Sequence, residues 1–346
     1  MTVETPRARF QDRQIEMAHG AGGKASRRLV EGLIAARFGG GLSSALEDAA
    51  VLDLDGRRLA FTTDSFVVRP RRFPGGSIGS LAVHGTVNDL AMAGAQPLAL
   101  LCSLIVEAGL PGKELEDEID AMARAAEAAG APIVGGDTKV VEHGKADGLY
   151  VNTAGIGLVD PRVRCDARSV QPGDQVLLSG PIGDHGVTIL LARGDLDLDA
   201  DLVSDTRSVA PLVAALLDAC AEGVRWMRDP TRGGVATALN ELARDAGVGV
   251  VIEEERVPLR DPVRGACELL GLDPLHIANE GQFVAVVAPE HADAALEAIR
   301  AAPGGERAAR IGAVRADSAG AVVATTSYGG GRVVDMLVGD PLPRIC

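Results

Sequence analysis

Short apolar runs alternate with helix-like stretches along most of this sequence, from Glu47 to about Val338. One helix-like stretch, 111–129, repeats apolar residues at helical spacing and carries acidic residues on its other face. Such alternation of strands with helices predicts an α/β fold. The 346 residues are enough for two domains. We expect a glycine-rich leader and first helix at 1–40, an N-terminal domain at 41–160, a C-terminal α/β domain at 161–338 and a flexible tail at 339–346.

The charge balance argues against nucleic-acid binding, because the formal net charge of -14 would be repelled by a phosphate backbone. An acidic chain that handles ATP has to shield the phosphates locally, usually with magnesium held by carboxylates. The most apolar run, 98–106, is too short to span a bilayer, which takes about 20 residues. None of the five cysteines stands in a CxxC pair and no secretory leader precedes them. We therefore expect a cytoplasmic protein without disulfides or structural zinc.

Aspartates occupy positions where a carboxylate needs a partner. Asp48 and Asp64 fall near the ends of two neighbouring strands, which an Asp-Gly turn joins into a hairpin. Asp89 lies in an otherwise apolar helix that we predict at 78–93. A charge in such surroundings is unfavourable unless it is paired or binds a metal.

The run 133–140, Ile-Val-Gly-Gly-Asp-Thr-Lys-Val, is the most informative internal segment. We expect a strand that delivers two glycines, a carboxylate, a hydroxyl and an ammonium group into one tight turn. The glycines would let a phosphate approach the backbone, Asp137 would hold magnesium, and Lys139 would offset charge on the γ-phosphate. A plain polar hairpin is the alternative interpretation.

Two further loops precede helix-like stretches. The segment 19–24, His-Gly-Ala-Gly-Gly-Lys, would present backbone N–H groups to an anion. It is not a Walker A loop, because Ala18 and Ala25 stand where that pattern needs glycine and serine or threonine. A flexible leader with glycines is the alternative. The loop 228–234 has the form of an anion-binding helix start with a nearby arginine.

The sequence closes on Pro341-Leu342-Pro343-Arg344-Ile345-Cys346. The two prolines hold the backbone extended, and Gly339-Asp340 supplies a hinge, so we expect a mobile arm. As a thiolate, Cys346 at the tip of such an arm is a soft nucleophile that can reach several partners. A frayed terminus that carries a cysteine by chance is the alternative.

Together these pieces resemble the aminoimidazole-ribonucleotide-synthetase-like (PurM-like) superfamily of ATP-using enzymes and, within it, the HypE family of hydrogenase maturation factors. The superfamily motifs are Asp48-Ala49-Ala50, Thr63-Asp64, Asn88-Asp89 with Gly94-Ala95-Gln96-Pro97, Gly135-Gly136-Asp137 and Asp229-Pro230-Thr231-Arg232-Gly233-Gly234. The family motifs are His19-Gly20-Ala21-Gly22-Gly23, Phe73-Pro74-Gly75-Gly76, Gly136-Asp137-Thr138-Lys139-Val140-Val141, Gly183-Asp184-His185-Gly186, Ala278-Asn279-Glu280-Gly281 and Pro343-Arg344-Ile345-Cys346. The resemblance covers nearly the whole chain.

The resemblance implies a two-domain PurM-like fold, in which the N-terminal domain pairs with its copy in a homodimer and strands of both subunits form a β-barrel. ATP and magnesium would bind near that interface. It also implies a carbamoyltransferase partner, HypF, which places a carbamoyl group on the terminal cysteine. The enzyme would use ATP to dehydrate this thiocarboxamide to a thiocyanate. The cyanide would then pass to iron on the HypC–HypD complex, for the [NiFe]-hydrogenase.

The same resemblance suggests a role for each residue type. Cys346 would carry the reacting group, and Glu280 is the candidate base, with Lys139 assisting. The choice between base and phosphate ligand among Glu280, Lys139, Asp89 and His84 stays open. The candidate magnesium ligands are Asp48, Asp64, Asp89 and Asp137. The candidate ATP contacts are His19, Gly20, Gly22, Gly23, Gly135, Gly136, Thr138, Asn152 and Thr153.

Two other functions fit parts of the pattern. One is a different PurM-like enzyme, such as a selenophosphate synthetase or a thiamine-monophosphate kinase, but neither accounts for the Cys346 arm. Selenium chemistry would also need a cysteine or selenocysteine near the N-terminal glycines, and the first cysteine is Cys102. The other is a non-catalytic docking protein, which would bind partners without any ATP-dependent change at Cys346.

Overall fold

The structure is a computed structural model that describes residues 10–38, 47–194, 200–339 and 342–346. The first nine residues of the predicted leader, the segment 39–46, and Asp340 and Pro341 of the predicted arm lie outside the described residues. In the described ranges, no helix combines the length and the apolar character needed to cross a bilayer.

Short helices followed by a five-stranded sheet with two longer helices form the N-terminal part of the described chain. The helices are α1 (Lys24–Leu29), which continues through a π-helical turn (Val30–Ile34) into α2 (Ala35–Phe38), then α3 (Ile78–Met92) and α4 (Gly112–Ala128). The strands are β1 (Ala50–Leu54), β2 (Arg57–Phe66), β3 (Arg72–Phe73), β4 (Gly76–Ser77), β5 (Ala95–Glu107), β6 (Ile133–Val141) and β7 (Leu149–Val159). The predicted hairpin is confirmed, since β1 and β2 pair antiparallel around Asp55 and Gly56, whose φ angles are 52° and 80°.

The first sheet has the order β1-β2-β7-β5-β6 and is antiparallel except between β5 and β6. Helix α3 packs on one face with α4 beside it, and this face buries Ala60 and Phe66. The opposite face carries Phe61, Leu101 and Ile105, which are 39%, 50% and 43% exposed. One face therefore belongs to the core, and the other, called the outer face below, is left exposed by the residues that the structure describes.

The predicted tight turn within 133–140 is wrong, because this run lies entirely within β6. The strand pairs in parallel with β5, and a Cβ built on Gly136 would lie 1.7 Å from the carbonyl oxygen of Cys102. The close approach of the two strands therefore requires a glycine at position 136. Since side chains two residues apart along a strand share a face, Asp137 and Lys139 stand on the same side of the sheet.

A seven-stranded sheet forms the C-terminal part. Its strands are β8 (Gln175–Leu178), β9 (Val224–Arg228), β10 (Gly249–Glu253), β11 (Val284–Val287), β12 (Ala309–Arg315), β13 (Val322–Thr325) and β14 (Gly331–Val334). The helices are α5 (Asp184–Ala192), α6 (Ala210–Cys220), α7 (Gly234–Ala246), α8 (Asp261–Leu270) and α9 (Ala292–Ala301). The strand order is β14-β13-β10-β12-β8-β11-β9.

Helices cover both faces of this second sheet. Val176 and Leu178 of β8 pack in a core with α7, whereas Leu177 between them packs with α6 and α9. A strand buried on both faces reads as a continuous apolar run, and β8 has that pattern. The α/β fold class predicted from the sequence is confirmed.

A third apolar core joins the two sheets. It contains Phe66 and Phe73 from the N-terminal part and Val187 from α5 of the C-terminal part. Leu342 and Ile345 from the end of the sequence complete the same core. The packing between the two halves therefore includes the segment 342–346, called the tail below.

Candidate active site between the two sheets

Three aspartates from separate elements meet between the two sheets. Asp48 precedes β1, Asp89 lies on α3, and Asp229 follows β9. One carboxylate oxygen of each lies within 4.8 Å of the others. Over the part of the chain that the structure describes, no other set of three or more acidic, histidine or cysteine ligand atoms is as close. Both halves of the molecule thus contribute to one acidic cluster.

Burial makes the negative charge of this cluster unfavourable. It raises the pKa values of Asp48 and Asp89 well above the ordinary range, and repulsion from Asp229 adds to the effect. Burial also raises the pKa of Asp229 to about 6. The hydroxyl of Thr62 donates to Asp89 Oδ2 at 2.7 Å, which satisfies one oxygen of that carboxylate. Buried carboxylates that repel one another are stabilised by a bound cation.

Asp64 adds a fourth carboxylate on the side of the sheet that faces α3. Its Oδ2 would lie 3.9 Å from a Cβ built on Gly85 of that helix. Burial raises the pKa of Asp64, and its charge in turn raises the pKa values of Asp89 and Asp229. Carboxylate oxygens are the hard ligands that Mg²⁺ prefers, so this donor set fits magnesium. Asp229 belongs to this cluster although the sequence analysis did not name it as a metal ligand, whereas the predicted ligand Asp137 lies elsewhere in the chain.

Arg228 is the cation that accompanies the cluster. Its Nε lies 2.7 Å from Asp48 Oδ1, and its Nη2 lies 3.3 Å from a carboxylate oxygen of Glu241 on α7. The arginine therefore links the loop before β1 to the second sheet. It offsets part of the acidic charge, and Arg232 also acts against the effect of burial by lowering the pKa values of Asp64 and Asp229.

Glu280 is buried beside the aspartates, at 3% exposure. Burial raises its pKa well above the ordinary range, and the charges of Asp229 and Asp64 raise the pKa further. Its backbone N–H donates to Asp205 Oδ1 at 3.0 Å. Nothing in the described part of the chain donates a hydrogen bond to its Oε1. A buried carboxyl group with these properties suits a general acid or base.

Asp137 and Lys139 lie apart from this cleft within one chain. Both side chains are exposed, and Lys139 Nζ lies 2.5 Å from Asp137 Oδ2. They stand on the outer face of the first sheet, whereas Asp64 faces α3. The expectation that all four predicted aspartates form one site is therefore not met within a single chain. Sequence spacing alone does not show on which face of a strand a carboxylate lies.

The glycine segment 19–23 packs against loops of the C-terminal half. A Cβ on Gly22, whose φ is 75°, would lie 2.8 Å from the backbone oxygen of Arg232. A Cβ on Gly23 would lie 2.2 Å from the carbonyl oxygen of Leu337. These close approaches exclude larger residues, and they place the segment beside the loop that carries Asp229.

The remaining predicted ATP contacts do not form one surface. His19 is buried, with Nε2 2.7 Å from Asp12 Oδ2, whereas Gly20 borders open space. Thr153 is fully buried, and its hydroxyl donates to the carbonyl oxygen of Ala82 at 2.9 Å, which ties β7 to α3. The other four lie on the first sheet, namely Gly135, Gly136 and Thr138 on β6 and Asn152 on β7.

His84 occupies a different pocket from the aspartates. It lines a groove with Arg72 and Arg124 on the surface of α3 and α4. Burial lowers its pKa to about 4, so the imidazole is neutral at ordinary pH. Within the described residues, no hydrogen-bond partner reaches its Nδ1. These surroundings do not favour His84 as the base in the cleft.

The predicted mobile arm is docked in this structure. Leu342 and Ile345 are only 5% and 2% exposed. The N–H of Val67 donates to the carbonyl oxygen of Cys346 at 3.1 Å, so the tail lies alongside the chain just after β2. Burying an aliphatic side chain of this size contributes about 1.5–3 kcal/mol, which stabilises the docked position. Val67 lies three residues beyond Asp64, or about 10 Å of extended backbone. The carbonyl of the docked Cys346 therefore pairs with the chain just past the strand that carries this carboxylate.

None of the five cysteines, all of which lie in the described ranges, forms a disulfide. Burial raises the pKa of Cys165 to about 12 and that of Cys267 to about 11. These thiols stay protonated at neutral pH and are poor nucleophiles. Neither provides an alternative to Cys346.

Sequence reasoning missed two residues of the site. Asp229 lies in the loop 228–234, which has the form of an anion-binding helix start, yet its carboxylate faces other carboxylates. Asp229 could have been identified by the signal that identified Asp64, namely its position at the end of an apolar strand. Asp205 lies in a stretch without periodicity, and only its hydrogen bond to Glu280 identifies it.

Comparison with known protein families gives a match over most of the chain. Residues 46–159 match the N-terminal domain, and residues 171–325 the C-terminal domain, of the family described as AIR synthase related protein. A protein of Rhizobium leguminosarum bv. viciae named carbamoyl dehydratase HypE is 51% identical over 333 residues, which span 96% of this chain and 95% of the relative.

Two solved structures are similar over nearly their whole length. A HypE–HypF complex has a TM-score of 0.85 at 44% identity, covering 89% of this chain and 99% of the matched chain. HypE in complex with ATP has a TM-score of 0.80 at 45% identity, covering 96% of this chain and 100% of the other. The fold around the acidic cluster is thus shared with a protein solved with ATP bound.

Proposed function

The chain belongs to the HypE family of carbamoyl dehydratases, and we propose on that basis that it dehydrates a carbamoyl group carried on Cys346 to a thiocyanate, using ATP. The family membership rests on identity of about half the residues over nearly the full length. The observation in this chain that carries the proposal is the docking of the Cys346 tail beside a cleft that holds a cluster of acidic side chains. A kinase or synthetase that acts on a free small molecule would have no use for such a docked cysteine.

The chemistry requires the oxygen of an amide to become a leaving group. In the proposed reaction the carbamoyl oxygen takes the γ-phosphoryl group of ATP, so that it departs as phosphate. The carbon–nitrogen bond becomes a triple bond as two protons leave the nitrogen. One proton stays with the released phosphate, and Glu280 accepts the other and passes it to water. The products are the thiocyanate, ADP and phosphate.

Asp48, Asp64, Asp89 and Asp229 are the residues that would hold magnesium in this reaction. Magnesium bound there would neutralise charge on the phosphates of ATP. The aspartates belong to both halves of the chain, so they orient the nucleotide relative to the docked tail. The neighbouring segment 19–23 would cover the phosphates and exclude water.

We also propose that a second copy of the chain covers the outer face of the first sheet. Leu101 and Ile105 expose half or nearly half of their surface there. A contiguous apolar face of this kind marks an interaction site. Asp137 and Lys139 stand on the same face, so in the dimer they would lie at the subunit interface, where ATP is expected to bind.

Partners follow from the same proposal. A carbamoyltransferase of the HypF type would load Cys346, in keeping with the solved HypE–HypF complex. An iron-carrying HypC–HypD complex would take the cyanide. These exchanges would occur in the cytoplasm.

A phosphate-release assay tests the proposed activity. The carbamoylated protein is mixed with Mg-ATP, and phosphate is measured over a single turnover. We expect about one phosphate per carbamoyl group, and none above background from Cys346→Ala, which cannot be loaded. Equal phosphate release from the loaded protein and from Cys346→Ala would contradict the proposal. A docking protein without activity would release none from either.

A further inference from the structure

Arg193 donates hydrogen bonds to the backbone of the docked tail and to the backbone of the segment beside it. It follows α5 directly, and its Nη2 donates to the carbonyl oxygens of Pro343 at 2.5 Å and Arg344 at 2.6 Å. Its Nε donates to the carbonyl oxygen of Arg69 at 2.8 Å, in the segment that follows β2 and lies beside the tail. One guanidinium group thus joins the tail to this segment, and its planar fork suits such multiple bonds.

His185 holds the next carbonyl of the tail. Its Nε2 lies 2.6 Å from the carbonyl oxygen of Ile345, and its Nδ1 lies 2.8 Å from the hydroxyl of Ser204. Burial lowers the pKa of His185 to about 4, so the ring is neutral at ordinary pH. A carbonyl only accepts hydrogen bonds, so Nε2 carries the proton and Ser204 donates to Nδ1.

The dipeptide Ser204-Asp205 connects the tail to the candidate base. Ser204 orients His185 against Ile345, and Asp205 accepts the backbone N–H of Glu280 at 3.0 Å. Two neighbouring residues therefore position both the peptide before Cys346 and the carboxyl group proposed to remove protons from its substituent.

These contacts with the tail all end on main-chain carbonyl oxygens. A hydrogen bond to a carbonyl does not depend on what the sulfur of Cys346 carries. The free thiol, the carbamoyl form and the cyano form can therefore be held in the same register. Docking also restricts the access of partners in solution to the cysteine, because Leu342 and Ile345 before it are buried and Cys346 itself is only partly exposed.

We propose that Arg193 and His185 form a carbonyl clamp that sets the balance between a docked tail, competent for dehydration, and a free tail, competent for loading. The dehydration half of this inference rests on the proposed function. Neither side chain reacts with the substrate, so both are positioning residues. Weakening the clamp then has opposite effects on the two steps: reaction of Cys346 with an outside reagent becomes faster, and dehydration becomes slower.

The clamp is tested with Arg193→Ala in the full-length protein. Alkylation of Cys346 by iodoacetamide is followed by mass spectrometry of the peptide that contains it. Loss of hydrogen bonds from a charged donor should speed alkylation roughly tenfold and slow single-turnover dehydration of the carbamoylated protein by a similar factor. Arg193→Lys keeps the charge but not the planar fork. Both of its rates should therefore lie between those of the wild type and those of Arg193→Ala.

Arg168→Ala is the matched control. This exposed arginine pairs with Asp166, two residues before it, and should leave both rates unchanged. The melting temperature of each variant shows whether the fold is kept, and a purely structural defect would slow dehydration without this graded order. An alkylation rate of Arg193→Ala equal to that of the wild type would overturn the clamp. Faster alkylation in a protein whose wild type shows no dehydration would uphold the clamp and refute the proposed function.

Discussion

At the scale of single residues, Asp89 is a carboxyl group whose ionised form is unfavourable in the empty site. The carboxylate sits in an apolar helix and is held by Thr62, with three other aspartates around it. Ionising it in the absence of a cation costs free energy, and binding a cation recovers that cost. A residue of this kind destabilises the protein without a cation and stabilises the protein with the cation bound.

Asp89→Asn separates these two effects. We expect ATP hydrolysis by the carbamoylated protein to fall by roughly 100-fold, because a magnesium ligand is lost. The melting temperature of the nucleotide-free protein should stay equal or rise, since the amide removes a repulsive charge and still accepts from Thr62. Hydrolysis and thermal unfolding measure the two effects. Asp120→Asn, on the exposed side of α4, is the control, and unchanged hydrolysis in Asp89→Asn would show that the cluster does not hold the metal.

His185 makes stability depend on pH in a predictable direction. Burial lowers its pKa to about 4 in the folded protein, against 6.5 for an ordinary histidine. Between these values the unfolded chain binds a proton that the folded chain does not, so the free energy of unfolding falls as the pH drops. The stabilisation is fully present above pH 6.5 and is lost on the way to pH 4.

His185→Gln should remove this dependence. Over the window from pH 6.5 to 4, the wild type should lose about 3 kcal/mol relative to the variant. Urea unfolding of both proteins at several pH values gives the difference directly. The comparison cancels the contributions of Asp205, Arg193 and the other charged groups nearby. A difference that does not change with pH would mean that His185 is not held neutral by burial.

At the scale of elements, the first sheet has two faces with different roles. Asp64 on β2 faces α3 and joins the acidic cluster, whereas Asp137 on β6 stands on the outer face. Side chains alternate between the two faces along a strand, and this alternation decides which face each aspartate occupies. The face can be assigned only once the register of the strand pairing is known. The sequence predicts a strand at the start of β6, but neither its continuation through Asp137 nor the face that this carboxylate occupies.

The outer face is tested as a dimer interface with Leu101→Asp. Placing a carboxylate in the apolar face should shift the protein from dimer to monomer, as measured by light scattering during gel filtration. Leu269→Asp on α8 is the control, because Leu269 is 71% exposed and lies in the second half of the chain. A monomeric wild type, or a dimer that persists in Leu101→Asp, would rule out this interface.

At the scale of the whole molecule, local patterns predicted several of the elements. The hairpin and the helices α3 and α4 follow from turn residues and apolar periodicity. These signals lie within a few residues of each other along the chain, so a single sequence contains them. The α/β class follows from their alternation.

The meeting of distant segments could not be predicted in the same way. Asp229 joins Asp48 and Asp89 because two sheets pack against each other, and that packing depends on the third core. The tail is docked because Leu342 and Ile345 complete this core, although the prolines beside them favour a free extended arm. Local propensity and long-range burial disagree here, and burial prevails.

The most direct test of the central claim follows the mass of the peptide that contains Cys346. The protein is carbamoylated by its transferase partner, and Mg-ATP is then added. The account predicts a loss of one water from carbamoyl-Cys346, absent with a non-hydrolysable ATP analogue and absent in Glu280→Gln. A carbamoyl group that stays intact while ATP is consumed would contradict it.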